Sequence, residues 1–393
     1  LLERSGDRRA EAEGRAQLGV MLLNVVRMPE SRRELEAALA LFEQVDDVRG
    51  QGRTLEMLGM NVQLSGDLER ADAILQRTLP LVQASGDRRT EISALGSRAS
   101  VLSFRYGLAA GLPDLRRAGE LAHSLEARGD AAFIHALTAE MQIAFGVFGD
   151  ALAEASSGLA IARELGHREW TTYSLGMLGR LHAECGDVAG ARALHDEELA
   201  LARRLGAHIW IADALANLGL GLVYAGELDD ARRHLIEAIE VADECVEKVI
   251  FPQLHLGLCA LAAGRPDDAL AAVTRFRTRC GSYTVLLVEA RRLEAEAWLA
   301  QGRTGAAETT LREVIRDADA FGYGPCRWRA GLALAALLHG RGRADEARGV
   351  AGDVLAALQR VLGALPDEPL GRSFRQSALV RRAATLAGSA ATT

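Results

Sequence analysis

The side chains with the chemistry to act on a substrate or hold a metal are thinly placed along this chain. Its nine histidines include no HExxH pair and none joined to cysteines at zinc spacing. His195 and Glu198 fall one helical turn apart, a spacing that lets a carboxylate orient an imidazole, but the pair reads as solvated surface. No GxxxxGK[ST] loop is present to cradle a phosphate, and no GxGxxG follows a strand. A GxSxG elbow for a nucleophilic serine is also missing. Cys185, Cys245, Cys259, Cys280 and Cys326 form no CxxC pair, which predicts inert buried thiols and a reducing, cytoplasmic setting. These residues predict no enzyme, no metal and no cofactor; what is left to read is a surface.

Composition narrows the kind of surface. Acidic residues exceed basic ones, 53 to 46, for a net charge of −7, so direct nucleic-acid binding is not expected. Lys248 is the only lysine. No apolar run approaches the roughly 20 residues of a membrane helix, and no signal peptide is expected before the first repeat. Hydrophobic residues make up 49% of the chain but aromatics only 5%, as in helices packed through small side chains.

The elements that carry this surface repeat. Around Leu218-Gly219, the order glycine, glycine seven later, alanine five later recurs about every forty residues: Gly59, Gly66, Ala71; Gly179, Gly186, Ala191; Gly219, Gly226, Ala231; Gly257, Gly264, Ala269. Alanine replaces the first glycine at Ala139, Ala295 and Ala335 without disturbing the frame. A second glycine series, Gly6, Gly86, Gly129, Gly166, Gly206, Gly281 and Gly322, falls between units. The pattern predicts helix, turn, helix, turn, with glycine ending each helix. One unit departs from it, where Tyr106 to Asp114 hold two glycines and a proline; a longer turn or a bend is expected there. The chain opens without methionine on Leu1 to Asp7, which reads as the end of a second helix, so a piece of a longer array is expected.

Leu58-Gly59, Leu178-Gly179, Leu218-Gly219 and Leu256-Gly257, each followed by a turn glycine and an alanine, resemble the tetratricopeptide signature. The likeness covers essentially the whole chain. It implies an all-α, right-handed superhelical solenoid of about nine helix pairs over residues 1–364, with a C-terminal capping helix near 373–386 and a frayed tail completing 365–393. More narrowly, long arrays with Gly-Asp turns are similar to the C-terminal sensor regions of bacterial signal-transduction ATPase regulators, the maltose-regulator-like and antibiotic-regulator-like activators. That resemblance implies a module that senses a ligand or partner and controls an upstream ATPase in the same chain. The alternative is a passive scaffold docking a peptide or helix of a partner.

In either case the resemblance implies that the first helix of each pair lines a concave groove. Counting from the small residue of each first helix puts Tyr173, Arg180, Asp213, Leu220, Tyr224, Phe251, Leu254 and Arg292 on that face, with Asn217 beside them as a clamp for a peptide backbone. The groove is expected to be mixed in charge at its ends and apolar near Phe251, Leu254 and Leu258, unless a one-residue slip makes those leucines core. A protein, a peptide or a small-molecule inducer is the expected partner. Trp170, Trp210 and Trp328 are expected to pack at helix starts, a stacking pocket for a sugar or aromatic ligand being the other reading.

Overall fold

The computed structural model describes residues 7–366 and 369–388. Among these, 20 helices follow one another with no strand. Nine pairs come first: α1 (Arg8–Asn24) and α2 (Met28–Gln44), α3 (Val48–Leu64) and α4 (Leu68–Ala84), α5 (Arg88–Tyr106) and α6 (Leu108–Ser124), α7 (Arg128–Phe145) and α8 (Phe148–Glu164), α9 (Arg168–Glu184) and α10 (Val188–Leu205), α11 (His208–Ala225) and α12 (Leu228–Val241), α13 (Val246–Ala262) and α14 (Pro266–Arg279), α15 (Thr284–Ala300) and α16 (Thr304–Phe321), α17 (Gly324–Gly340) and α18 (Ala344–Ala364). α19 (Pro369–Arg375) and α20 (Ala378–Ala387) close the end. The all-α repeat solenoid is therefore the fold. The expected single cap helix is two, because the chain breaks before Ser377, whose hydroxyl caps α20 by accepting from the Val380 amide at 3.3 Å. The expected helix end at Leu1 to Gly6 and the tail beyond Gly388 lie outside the described residues.

Local chemistry sets the boundaries. Asp47, Asp67 and Asp187 cap α3, α4 and α10 by accepting backbone amides of the first turn. Most turns then close on a left-handed glycine such as Gly226, φ +80°. Glycine is not universal, however. Val26, Asp46 and Glu126 take the left-handed position themselves, at φ 65°, 53° and 52°. Gly129, expected as a turn residue, lies inside α7, with Glu126 performing its role.

In four units the glycine of the first helix has a definite partner sixteen positions on, in the second helix of its own pair, whereas Gly257 faces Leu293 of α15. A Cβ on Gly59 would come 2.9 Å from Leu75, and one on Gly219 2.7 Å from Leu235. The same offset joins Gly19 to Leu35. This contact accounts for the repeat, since any larger side chain pushes the pair apart. It also corrects the irregular unit. Counting forty from Gly59, Gly66 and Ala71 gives Ala99, Tyr106 and Gly111. The frame persists with Tyr106 in the glycine place and Gly111 in the alanine place, against the Ala99 carbonyl. No long turn exists there: Gly107 alone joins α5 to α6, and Gly111 and Pro113 lie within α6.

The superhelix closes on itself. α3 touches α13, α5 touches α15 and α7 touches α17, so five pairs complete one turn and the sixth stacks on the first of the set. The Ser282 amide donates to the Gly66 carbonyl at 3.0 Å across this seam. Further along, Gly107 abuts the Phe321 carbonyl and Gly149 the Ala364 carbonyl. Gly186 faces Ser377 of the cap. α11 is apolar enough to resemble a membrane span, with mean hydropathy 1.2 over 18 residues, but 61% of it is buried inside the solenoid.

Candidate functional site

The first helices α5 to α17 turn one face each toward the superhelix axis and enclose a lumen of three connected chambers. The mouth, about 730 Å³, lies between α9, α11, α15 and α17 on one side and α20 on the other. Glu184, Tyr224, Leu258 and Arg329 are shared with a middle chamber of about 80 Å³. Arg180, Phe251 and His255 join that one to an inner chamber of about 30 Å³, room for one or two waters.

All nine residues read from the sequence as groove-lining do line this lumen. Tyr173, Asp213 and Asn217 face the inner chamber, Leu220 and Leu254 the middle one, and Arg292 the mouth. Arg180 and Phe251 border both the inner and middle chambers, and Tyr224 borders the middle and the mouth. Several of them are not free, however. Asn217 is 8% exposed, and its amide donates to Glu198 Oε1 at 3.0 Å, so it clamps a neighbouring helix instead of waiting for a backbone. Leu254 is both lumen wall and core, at 5% exposure. The expected apolar stretch is interrupted beside Phe251 by a dense ionic cluster, since the first turn of α13 carries Glu247 and Lys248.

That inner cluster is built by five successive units, from Glu140 of α7 to Tyr283 at the start of α15. Lys248 Nζ reaches Asp213 at 2.9 Å and Glu247 at 3.1 Å. Tyr283 donates its hydroxyl to Glu247 at 2.6 Å, and Tyr173 donates to Glu140. Burial works against the Lys248 ammonium, but Asp213 and Glu247 outweigh it and hold its pKa well above the ordinary lysine value. Burial raises Glu140 and Asp213 above the usual carboxylate range in spite of Arg180 and Lys248. Three carboxylates thus share two cations.

The second cluster forms the floor of the mouth. Arg329 donates to Glu184 at 2.7 Å and to the Tyr224 hydroxyl at 2.8 Å, joining α17 to α9 and α11. Arg292, 1% exposed, forks onto Glu289 at 2.5 and 2.9 Å and onto Glu296 at 2.5 Å. Burial opposes the charge on Glu289, yet Arg292 overrides it and brings the carboxyl down to about 2. Between the clusters, burial drives His255 down to about 3, and its Nδ1 has no partner among the described residues.

His195 and Glu198 require a correction. They are 1% and 2% exposed and hydrogen-bonded at 3.0 Å, not solvated. His195 stands sixteen residues after Gly179, in the place that Leu35, Leu75 and Leu235 hold elsewhere. It is a core residue of the repeat, its Nδ1 paired with Glu198, which Asn217 also holds, and its Nε2 without a partner among the described residues. The tryptophans pack as expected. Trp170 meets Trp210 edge-on at 6.1 Å, and Trp328 meets Phe148 at 5.9 Å. All five cysteines are buried and free.

A tetratricopeptide-repeat family profile matches residues 170–244, and a second such profile matches residues 332–369. The chain carries tetratricopeptide repeats. The two matched stretches contribute α9 to α12 and most of α17 and α18. Tetratricopeptide repeats build protein-interaction modules, and this chain is one. No curated protein matches the chain in sequence. Among solved structures, it is similar to a Rap protein complexed with competence and sporulation factor, at TM-score 0.55 and 13% identity over 85% of this chain and 99% of that one. Aspartyl phosphate phosphatase F from Bacillus subtilis gives 0.51 and 12% over 92% and 95%. A signal transduction ATPase with numerous domains and a tetratricopeptide repeat sensor, from Pyrococcus horikoshii, gives 0.44 and 14% over 79% and 50%. At such identities the likeness is one of fold.

Proposed function

We propose that this chain is a recognition module that binds an extended segment of a partner polypeptide along its lumen, entering by the mouth between α17 and α20. The observation that carries this reading is the mouth chamber itself. At about 730 Å³ it falls within the size range of ligand sites, and its walls are mainly apolar with a few convergent polar groups. Leu258, Leu299, Leu332 and Leu337 form the walls, and Tyr224, Arg329 and Glu184 the floor. The ionisable groups of the two buried clusters already serve one another as counter-ions, which supports recognition over catalysis. Buried free thiols fit a reducing cytoplasm.

The module acts as the sensor of a bacterial regulator, controlling an ATPase upstream in the same polypeptide. A ligand that favours one pitch of the superhelix over another would bias the attached domain by its differential affinity. The Leu-Gly and Gly-Asp signatures support this reading. The hydrogen bonds across the seam, which oppose opening, favour a second one: a passive scaffold holding a partner's peptide. A phosphate loop encoded upstream in the full gene separates the two.

Thermal shift against peptide pools, sugars and nucleotides tests the site, because a ligand of the folded state raises its stability. Ala336 lines the mouth and is only partly buried, so Ala336→Trp fills the chamber from its wall. The variant should melt like the parent and lose the peptide-induced shift. An undiminished shift would place the ligand outside the lumen, and a shift from a sugar or nucleotide alone would favour a small-molecule inducer.

A further inference from the structure

The charges around the mouth do not balance, and the excess comes from the cap. Its lining includes four arginines, Arg292, Arg329, Arg381 and Arg382, against two glutamates, Glu184 and Glu296. Both glutamates are already engaged, Glu184 by Arg329 at 2.7 Å and Glu296 by Arg292 at 2.5 Å. Arg381 and Arg382 are exposed and make no ion pair among the described residues. They stand on α20, in a stretch from 369 to 388 that holds four arginines and no acidic residue, within a chain whose net charge is −7. A helix needed only to cover the apolar end of α18 could carry either sign on its outer face.

From this the geometry points to an acidic, apolar segment of a partner polypeptide as the occupant of the mouth, its carboxylates held by Arg381 and Arg382 while its apolar side chains meet Leu299, Leu332, Leu337 and Leu379. The cap is thus half of the binding site. A free inorganic anion would use the arginines but leave the apolar walls exposed to water, so the walls select a polypeptide. Gln376 and Ser377, also at the rim, add groups able to hydrogen-bond a peptide backbone. Deeper in, the sign reverses: Glu140, Asp213 and Glu247 outnumber Arg180 and Lys248. Carboxylates are therefore stabilised at the rim and repelled from the interior, which fixes how far such a segment enters.

This inference rests on the lumen being the recognition site, and the test separates the two. A display library of random decapeptides is selected on the whole chain, on Arg381→Glu/Arg382→Glu and on Ala336→Trp, each verified as folded by circular dichroism. Peptides selected on the parent should be enriched in Asp and Glu beside apolar residues. The best of them, as a synthetic fluorescent peptide, should bind the double charge reversal roughly tenfold or more weakly, and Ala336→Trp should abolish its binding. Selected peptides without acidic enrichment that Ala336→Trp still blocks would overturn this inference and leave the lumen reading intact. Acidic peptides that bind Ala336→Trp undiminished would place the arginine contact on the outside of the cap and overturn both. Competition by phosphate or citrate at the same concentration as unlabelled peptide would also overturn the choice of a polypeptide, and so would a library yielding no binder.

Discussion

Gly281→Ala and Gly302→Ala form a matched pair that asks whether the turns of the superhelix stack in solution. Both glycines have left-handed backbones, φ +53° and +76°, so alanine costs each about 1 kcal/mol in conformational strain. Their surroundings differ. A Cβ on Gly302 meets nothing within 4 Å, whereas one on Gly281 overlaps the Gly66 carbonyl oxygen. Relieving that overlap separates the turns and breaks the 3.0 Å bond from the Ser282 amide to Gly66. Overpacking typically costs about 1–3 kcal/mol and a neutral hydrogen bond contributes about 1, so Gly281→Ala should cost about 2–4 kcal/mol more than Gly302→Ala. Urea unfolding followed by circular dichroism gives the difference, and small-angle scattering should show a larger radius of gyration for Gly281→Ala alone. Equal costs and unchanged scattering for both variants would refute the stacked turns.

Other consequences are open to measurement. Burial pushes Glu56 up to about 7, against hydrogen bonds from Ser93 and Ser97. A carboxyl raised from 4.5 in the unfolded chain contributes no penalty below that pH and destabilises progressively as pH rises through 7. Glu56→Gln should therefore gain about 3 kcal/mol at pH 8 and show a flatter stability profile between pH 4.5 and 7; a parent profile without that slope would contradict an uncompensated carboxyl. Glu126→Gly removes an exposed non-glycine residue from φ 52° and should stabilise the fold by about 1 kcal/mol, read as a higher urea midpoint. Arg329→Met leaves Glu184 and Tyr224 without their cross-lumen donor and should cost about 3 kcal/mol, with a lowered melting temperature as the readout.

The repeat was legible because its small residues are set by contact with an element sixteen positions away in sequence, so each unit announces its own packing. Eight lumen-facing positions, Tyr173, Arg180, Asp213, Leu220, Tyr224, Phe251, Leu254 and Arg292, follow from that register, while Asn217 stands outside it. Weighed for its chemistry alone, His195 reads as surface; its place in the frame, shared with Leu35, Leu75 and Leu235, marks it as core. The unit at Ala99, Tyr106 and Gly111 was missed since the adjacent Gly107 attracted the count. Arg329 with Glu184, and Tyr283 with Glu247, could not be read from neighbouring sequence. Their partners lie 145 and 36 residues away, brought together by how tightly the units wind. The rim arginines gave no signal either, because nothing in α20 itself reveals that it faces a chamber.

An open solenoid can gain or lose a unit at little risk, since each repeat meets only its neighbours. Here five pairs make a turn, and Gly66, Gly107 and Gly149 sit against the next coil while Gly186 sits against the cap. Duplicating or deleting a single forty-residue unit between them would shift every later coil by one place and set bulky side chains against backbone where glycine is required. Length variants of this array are therefore expected at its ends, outside the wound part, and not within it.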